Sequence, residues 1–193
     1  PVQILSSSDA AQFGSALSGF TIPQALDAIF DHGAGTVIVV NVLDPAVHCE
    51  QATDEVLEFV AVNGRANLAH VAVRELVLKD ENGETTYAEG EDYTLSATSG
   101  LVTRLASGGI PAGGKVKATY KYADPSKVKA GDIIGGIDED GDRTGFALLE
   151  SCYQLFGYDP KILIAPGYCT QLSVASEMVA QAEKLQAMAL IDA

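Results

Sequence analysis

Hydrophobic and polar positions follow two different grammars along this chain, and the change from one to the other and back divides it into three stretches. In the first, the apolar run Val2 to Leu5 reads as a strand, Ser8 is placed to cap a short helix ending near Phe13, and a stronger helix signal begins at Thr21. Thr21 offers a capping hydroxyl three residues before Gln24, and Pro23 sits in the first turn, where its missing N–H costs nothing. Ile22, Leu26, Ile29 and Phe30 then recur at helical spacing. Gly33 is the predicted stop. The run Thr36 to Leu43 is β-branched on both alternations, which predicts a strand buried on both faces of a parallel sheet, so the stretch reads as β-α-β.

The second stretch consists of short runs separated by turn residues: Val56 to Val62, Val71 to Leu78, Thr85 to Ala88, Tyr93 to Leu95, Leu101 to Leu105 and Lys115 to Tyr122. Asn82-Gly83 suits a two-residue hairpin turn, and the polar–apolar alternation of Lys115 to Tyr122 predicts one wet and one buried face. Asp124-Pro125 closes this antiparallel β-module. In the third stretch, Thr144 is placed to cap a helix with the stripe Phe146, Leu149, Cys152, Tyr153 and Phe156, ending at Gly157. Lys161 to Ala165 reads as a strand, Ala175 to Ala187 as a helix with Val174, Met178, Ala182, Leu185 and Ala189 on one side, and Leu190-Ile191 as another strand. This is a crossover unit. The predicted class is therefore α/β, or α+β overall. Residues 1–46 and 132–193 form a discontinuous, mostly parallel sheet platform with helices, interrupted over 47–131 by an inserted antiparallel β-sandwich or barrel-like domain.

Composition narrows the function. Among 193 residues, 12 Lys and Arg face 26 Asp and Glu, a net charge of -14. The phosphate neutralisation that supplies most nucleic-acid affinity is missing, and anionic membranes are disfavoured in the same way. No Lys or Arg precedes Arg65, whereas eight carboxylates do, so residues 1–64 carry -8. An acidic surface serves solubility or docks a basic partner. Three cysteines without close spacing (Cys49, Cys152, Cys169) and no signal-like opening fit a reducing compartment. Because Pro1 leads directly into a strand and the chain stops in another apolar run, a fragment lacking both ends is the expectation.

Each chemical candidate fails on a physical requirement. Gly109 to Lys115 has the spacing of a phosphate loop, but Val116 stands where a hydroxyl should hold magnesium, and the run feeds a strand and not a helix. Gly33-Ala-Gly35 follows a helix and precedes a strand, the reverse of a dinucleotide fingerprint. Asp138 to Asp142 opens like a calcium loop, yet Arg143 occupies the sixth position and Leu149 the twelfth. Cys169 sits where an α/β enzyme would place a nucleophile elbow, but Gln171 replaces the second glycine, and His32, His48 and His70 have no paired spacing with cysteine for zinc. No catalytic, cofactor-binding or metal residue is assigned. A binding alternative remains: Tyr87, Tyr93, Tyr120 and Tyr122 of the β-module could stack on a glycan or receptor.

The residues singled out above also carry a resemblance. Pro1 to Gly14 (PVQILSSSDAAQFG), Thr21 to Asn41 (TIPQALDAIFDHGAGTVIVVN) and Arg143 to Ala193 resemble the contractile phage tail sheath family, the last through its Arg-Thr-Gly opening, a strand ending in Ala-Pro-Gly, an Ala-rich helix and ALIDA. The β-module is similar to the family's insertion domain through TTYAEGEDYTL, TSGLVTRLASGGIPAGGKVKATYKYADP and DIIGG. The resemblance implies a structural protein without an active site or cofactor, found in the virion tail sheath and assembled in the bacterial host cytoplasm. It implies subunits that stack as hexameric rings around a tail tube, meeting baseplate and tail terminator proteins, with no direct nucleic-acid contact and no membrane insertion.

Overall fold

The structure is a computed structural model that describes residues 1–33 and 35–192. Ala34, within the Gly33–Gly35 run, and Ala193, the last residue of the terminal ALIDA run, lie outside the described residues. The chain forms two compact units, Pro1–Leu43 with Pro125–Ala193, and Asp44–Asp124.

The first unit opens with β1 (Val2–Ile4), α1 (Ser7–Ala10), a 3-10 turn at Ala11–Phe13, α2 (Thr21–Asp31) and β2 (Val37–Val39). Ile4, Ala10, Leu26 and Val39 are buried together, at about 1.5–3 kcal/mol for each large apolar side chain. Strands β1 and β2 pair antiparallel, Val2 opposite Val39 and Ile4 opposite Val37, which departs from the expected parallel β-α-β. A connection this long can return the next strand in either direction, and here it contains two helical segments separated by residues 14–20. The caps also shift. Ser6, not Ser8, caps α1 by accepting from the Asp9 N–H at 3.2 Å, and Thr21 is the first residue of α2 behind an extended Phe20.

The second unit is all β. Strands β3 (Cys49–Glu58), β4 (Arg65–Asn67), β5 (Val73–Asp80), β6 (Thr86–Tyr87), β7 (Tyr93–Ser96), β8 (Leu101–Arg104) and β9 (Lys115–Ala123) build a four-stranded sheet in the order β3-β9-β5-β6 and a three-stranded sheet β4-β8-β7. Every strand pair is antiparallel. Leu57, Val73, Leu78, Val116, Ala118 and Tyr120 from one sheet share a core with Ala66, Tyr93 and Val102 from the other. The alternation read in Lys115 to Tyr122 is the alternation seen: Val116, Ala118 and Tyr120 are buried, and Lys117 and Thr119 face outward. Asn82-Gly83 does turn the chain, with Gly83 at φ +81°, but within a longer loop. The Asp80 carboxylate accepts from the Glu84 and Thr85 N–H groups at 2.7 and 2.9 Å, and this holds the wider turn. Both neighbours of β9 slip register, β3 between Ala52 and Glu55 and β5 between Arg74 and Val77. Asp54 and Glu75 lie in these bulges with left-handed φ of +53° and +54°, a strain of about 1 kcal/mol each.

The first unit resumes with α3 (Ala130–Ile134), β10 (Gly135–Ile137), β11 (Arg143–Gly145), α4 (Cys152–Phe156), β12 (Ile162–Leu163), α5 (Leu172–Leu185) and β13 (Met188–Ala189). Thr144, expected as a cap, lies inside β11, and a 3-10 segment at Phe146–Ser151 precedes α4. In the β10–β11 hairpin Gly135 pairs with Gly145, and a Cβ on Gly145 would stand 2.5 Å from the Ile133 carbonyl and 2.6 Å from the Gly135 nitrogen. That close approach is the physical content of the Arg-Thr-Gly and Ile-Gly-Gly runs. Strands β12 and β13 are parallel and joined through α5, whose Val174, Met178, Ala182 and Leu185 pack on Leu163, Cys152 and Phe146. The class is mixed α and β. Its described sheets are mostly antiparallel, and in place of the expected parallel platform this unit holds three two-stranded pairs.

Candidate functional site

The motifs weighed in the sequence find structural uses. Gly109 to Lys115 is a loop that enters β9 at Lys115; in it the Gly109 N–H donates to Asp92 Oδ1 at 2.6 Å, and the Ile110 carbonyl accepts from Arg104 Nε at 2.9 Å. The Asp138–Asp142 run is the tip of the β10–β11 hairpin, where Asp138 Oδ1 accepts from the Asp140 and Asp142 N–H groups at 3.0 and 2.8 Å. Cys152 and Cys169 are buried, and burial raises the Cys152 thiol above its ordinary value. His48 Nδ1 accepts from the Asp44 N–H at 2.9 Å, and the Cys49 thiol faces the Ala46 carbonyl at 3.7 Å, so adjacency in sequence does not make a thiol–imidazole pair. His32 reaches the carbonyl of its own helix at Ala28. Among the described residues no group of three or more His, Cys, Asp and Glu is arranged to hold a metal ion, and no helix is long and apolar enough to cross a membrane.

One polar cluster was invisible in the sequence. At the inner face of β9, the Tyr120 hydroxyl donates to Glu55 Oε2 at 2.5 Å, Glu55 Oε1 accepts from the Ala69 N–H at 2.9 Å, and His70 Nδ1 lies 2.9 Å from the same hydroxyl. The single phenolic proton is committed to Glu55, so His70 must carry its proton on Nδ1 and donate it. The His70 ring stacks on Tyr122 with centroids 3.6 Å apart and planes 12° from parallel. Burial first, and the Glu55 carboxylate second, hold the Tyr120 phenol far above its ordinary range. Residues 15 and 50 positions apart meet here only because the β3 bulge turns Glu55 to the inner face. The cluster fastens β3 and β9 to the Asn67–Ala72 segment. Of the four tyrosines considered for stacking on a glycan, Tyr93 and Tyr120 are 2% and 1% exposed, Tyr122 stacks on His70, and Tyr87 is half-buried.

The outer face of the same sheet is ordered by charge. At one end Lys115 pairs with Glu58 at 3.5 Å, and at the other Lys121 pairs with Glu75 at 2.6 Å. Between them Lys117 stands directly opposite Lys79 on one side and Val56 on the other, and Thr119 opposite Val77. Two lysines facing each other across a strand pair repel; at the far end Lys121 likewise has Arg74 opposite it, but there Glu75 pairs with the lysine.

In the first unit, an apolar cleft of about 810 Å³ is lined by Ile22, Leu26 and Ile29 of α2, Val37 of β2 and Ile162 of β12. The outward side chains Ile162, Ile164, Met188 and Leu190 are exposed.

Residues 45–131 match a family model described as a protein of unknown function, a span close to the all-β unit. A tail sheath protein of Burkholderia phage BcepMu is 58% identical over 194 aligned residues, covering 100% of this chain and 41% of the relative. A putative prophage major tail sheath protein of Pseudomonas aeruginosa is 39% identical over 77 residues, 40% of this chain and 20% of that protein. The chain thus spans about two fifths of the first relative's length. It is similar over its whole length to part of one bacteriophage tail sheath protein, and over 77 residues to part of a prophage one.

Proposed function

We propose that the chain is part of a structural, non-enzymatic subunit of a contractile tail sheath. Such subunits stack as hexameric rings around a tail tube in the virion, and contraction drives the tube through the host envelope. The single observation that carries this reading is the 58% identity to a phage tail sheath protein over the whole chain. The structure is compatible in kind: glycine loops, acidic turn, thiols and imidazoles are all engaged in local architecture.

Within such a subunit, residues 1–46 and 132–193 form the core platform and 47–131 the inserted β-domain. In the complete subunit the β1–β2 and β12–β13 pairs belong to one larger, mostly parallel sheet. The apolar cleft touched by both pairs, with its exposed Ile162 and Leu190, supports this because isolated pairs of two or three residues are too short to be stable alone. The partners are other sheath subunits, the tube protein, and baseplate and terminator proteins, assembled in the host cytoplasm without nucleic-acid or membrane contact. Contraction requires interfaces with two arrangements while each subunit moves as a nearly rigid body. Co-expression of the complete gene product with the tube protein of the same locus tests the reading. Sheathed tubes are the expected product, and bare tubes beside soluble sheath chains refute it.

A further inference from the structure

We propose that the outer face of the four-stranded sheet docks the acidic β10–β11 hairpin of a second copy of this chain. The inference rests on the sheath reading and deepens it, because it names one contact through which copies join. The lysine row has three features that together call for an anionic, partly apolar partner. Lys79 and Lys117 sit opposite each other with no ion pair among the described residues, in a protein with more than twice as many carboxylates as cations. At either end of the same face Lys115 and Lys121 are each paired with a carboxylate, Glu58 and Glu75, although Arg74 also stands opposite Lys121, whereas the middle pair of lysines has no such carboxylate among the described residues. Val56 and Val77, 65% and 41% exposed, flank it with uncovered apolar surface.

The hairpin is complementary on both counts. Asp138, Glu139, Asp140 and Asp142 place four carboxylates within five exposed residues, and Ile137 beside them is 65% exposed. Asp138 spends its carboxylate on its own turn, which leaves Glu139 and Asp140 exposed at the tip. Ile137 against Val56, with Glu139 and Asp140 against Lys117 and Lys79, neutralises both repulsive sets at once. The two surfaces are distinct patches of the chain, so a head-to-tail contact repeated through many copies generates a ring or a helix, the arrangement the sheath reading calls for.

Charge exchange in the complete gene product tests the contact. The critical concentration for assembly is read by sedimentation and electron microscopy for Lys79→Glu/Lys117→Glu, for Glu139→Lys/Asp140→Lys, and for the four changes combined. Each pair alone is expected to raise the critical concentration about tenfold at low salt, the combination to return it to within about threefold, and both differences to shrink above about 0.5 M salt. Should the lysine exchange impair folding, Lys79→Gln/Lys117→Gln supplies the same arm with about half the effect. Wild-type assembly that is indifferent to the exchanges overturns this contact and leaves the sheath reading standing. Sensitivity to the lysine changes without rescue by the hairpin changes assigns the face to another anionic surface and also overturns it. A wild-type product that never assembles removes the sheath reading, and the contact with it.

Discussion

Replacing Tyr120 with Phe isolates the one hydroxyl on which the inner cluster depends. Phe keeps the ring that fills the core position, where Tyr120 is 1% exposed, so the change removes hydrogen bonds and little packing. Two contacts go: the donation to the Glu55 carboxylate at 2.5 Å and the acceptance from His70 Nδ1 at 2.9 Å. A bond to a charged acceptor contributes about 1.5–3 kcal/mol and a neutral one about 0.5–1.5 kcal/mol. Glu55 and His70 are only half-buried, and water recovers part of the loss, so the expected cost to the β-module is about 2 kcal/mol. That is roughly a 30-fold increase in the population of the open module. Hydrogen exchange read by mass spectrometry is the assay, because peptides from β3 and β9 report on the module and peptides from α5 report on the other unit as an internal reference. Protection is expected to fall in β3 and β9 and to stay in α5. In a Glu55→Gln background the same substitution should cost at least about 1 kcal/mol less, since the charged acceptor is gone. A loss below about 0.5 kcal/mol in both backgrounds refutes the reasoning that the cluster fastens β3 and β9.

Other consequences can be checked on the same protein. Because burial and Glu55 raise the Tyr120 phenol, the neutral form belongs to the folded state. The stabilisation is complete below about pH 10 and lost above it, so ultraviolet titration should show Tyr120 ionising only as the module unfolds. Asp92 has the opposite sign: the N–H groups of Gly109 and then Ala88 hold its carboxyl below the ordinary value. Its contribution is present above about pH 4 and lost as pH falls through the folded value, and Asp92→Asn should flatten that acid limb in thermal melts. Gly145→Ala drives a Cβ into the Ile133 carbonyl from a φ of +53° and should cost about 2–4 kcal/mol in denaturant unfolding of the first unit. In thiol labelling of the native chain, half-buried Cys49 should react first, with buried Cys152 protected until unfolding.

The sequence was most legible where local pattern and burial coincide. Leu26 and Ile29 announced α2, and the alternation from Lys115 to Tyr122 announced β9 and both of its faces. It misled where direction depends on a connection. The β-branched run Thr36 to Leu43 identified a strand, but its antiparallel pairing with Val2–Ile4 joins segments more than 30 positions apart, which periodicity does not report. The caps differ for two reasons: Ser6, Ser7 and Ser8 compete for the start of α1, and α2 starts behind Phe20 with no side-chain cap, so Thr21 is already inside the helix. The inner cluster was illegible for a different reason: Glu55, His70 and Tyr120 carry no motif, and a bulge centred on Asp54 decides which face Glu55 takes. The outer lysines were half legible. Lys115, Lys117 and Lys121 could be placed on one face by counting, whereas the opposition of Lys117 and Lys79 needs the register between two strands 38 positions apart.

The central claim is that this chain belongs to a subunit that polymerises into a sheath, and negative-stain electron microscopy of the complete gene product, purified without other tail proteins, tests it most directly. Helical tubes or stacked six-fold rings are the result the account expects. Dispersed monomers over a wide range of salt and protein concentration would contradict it.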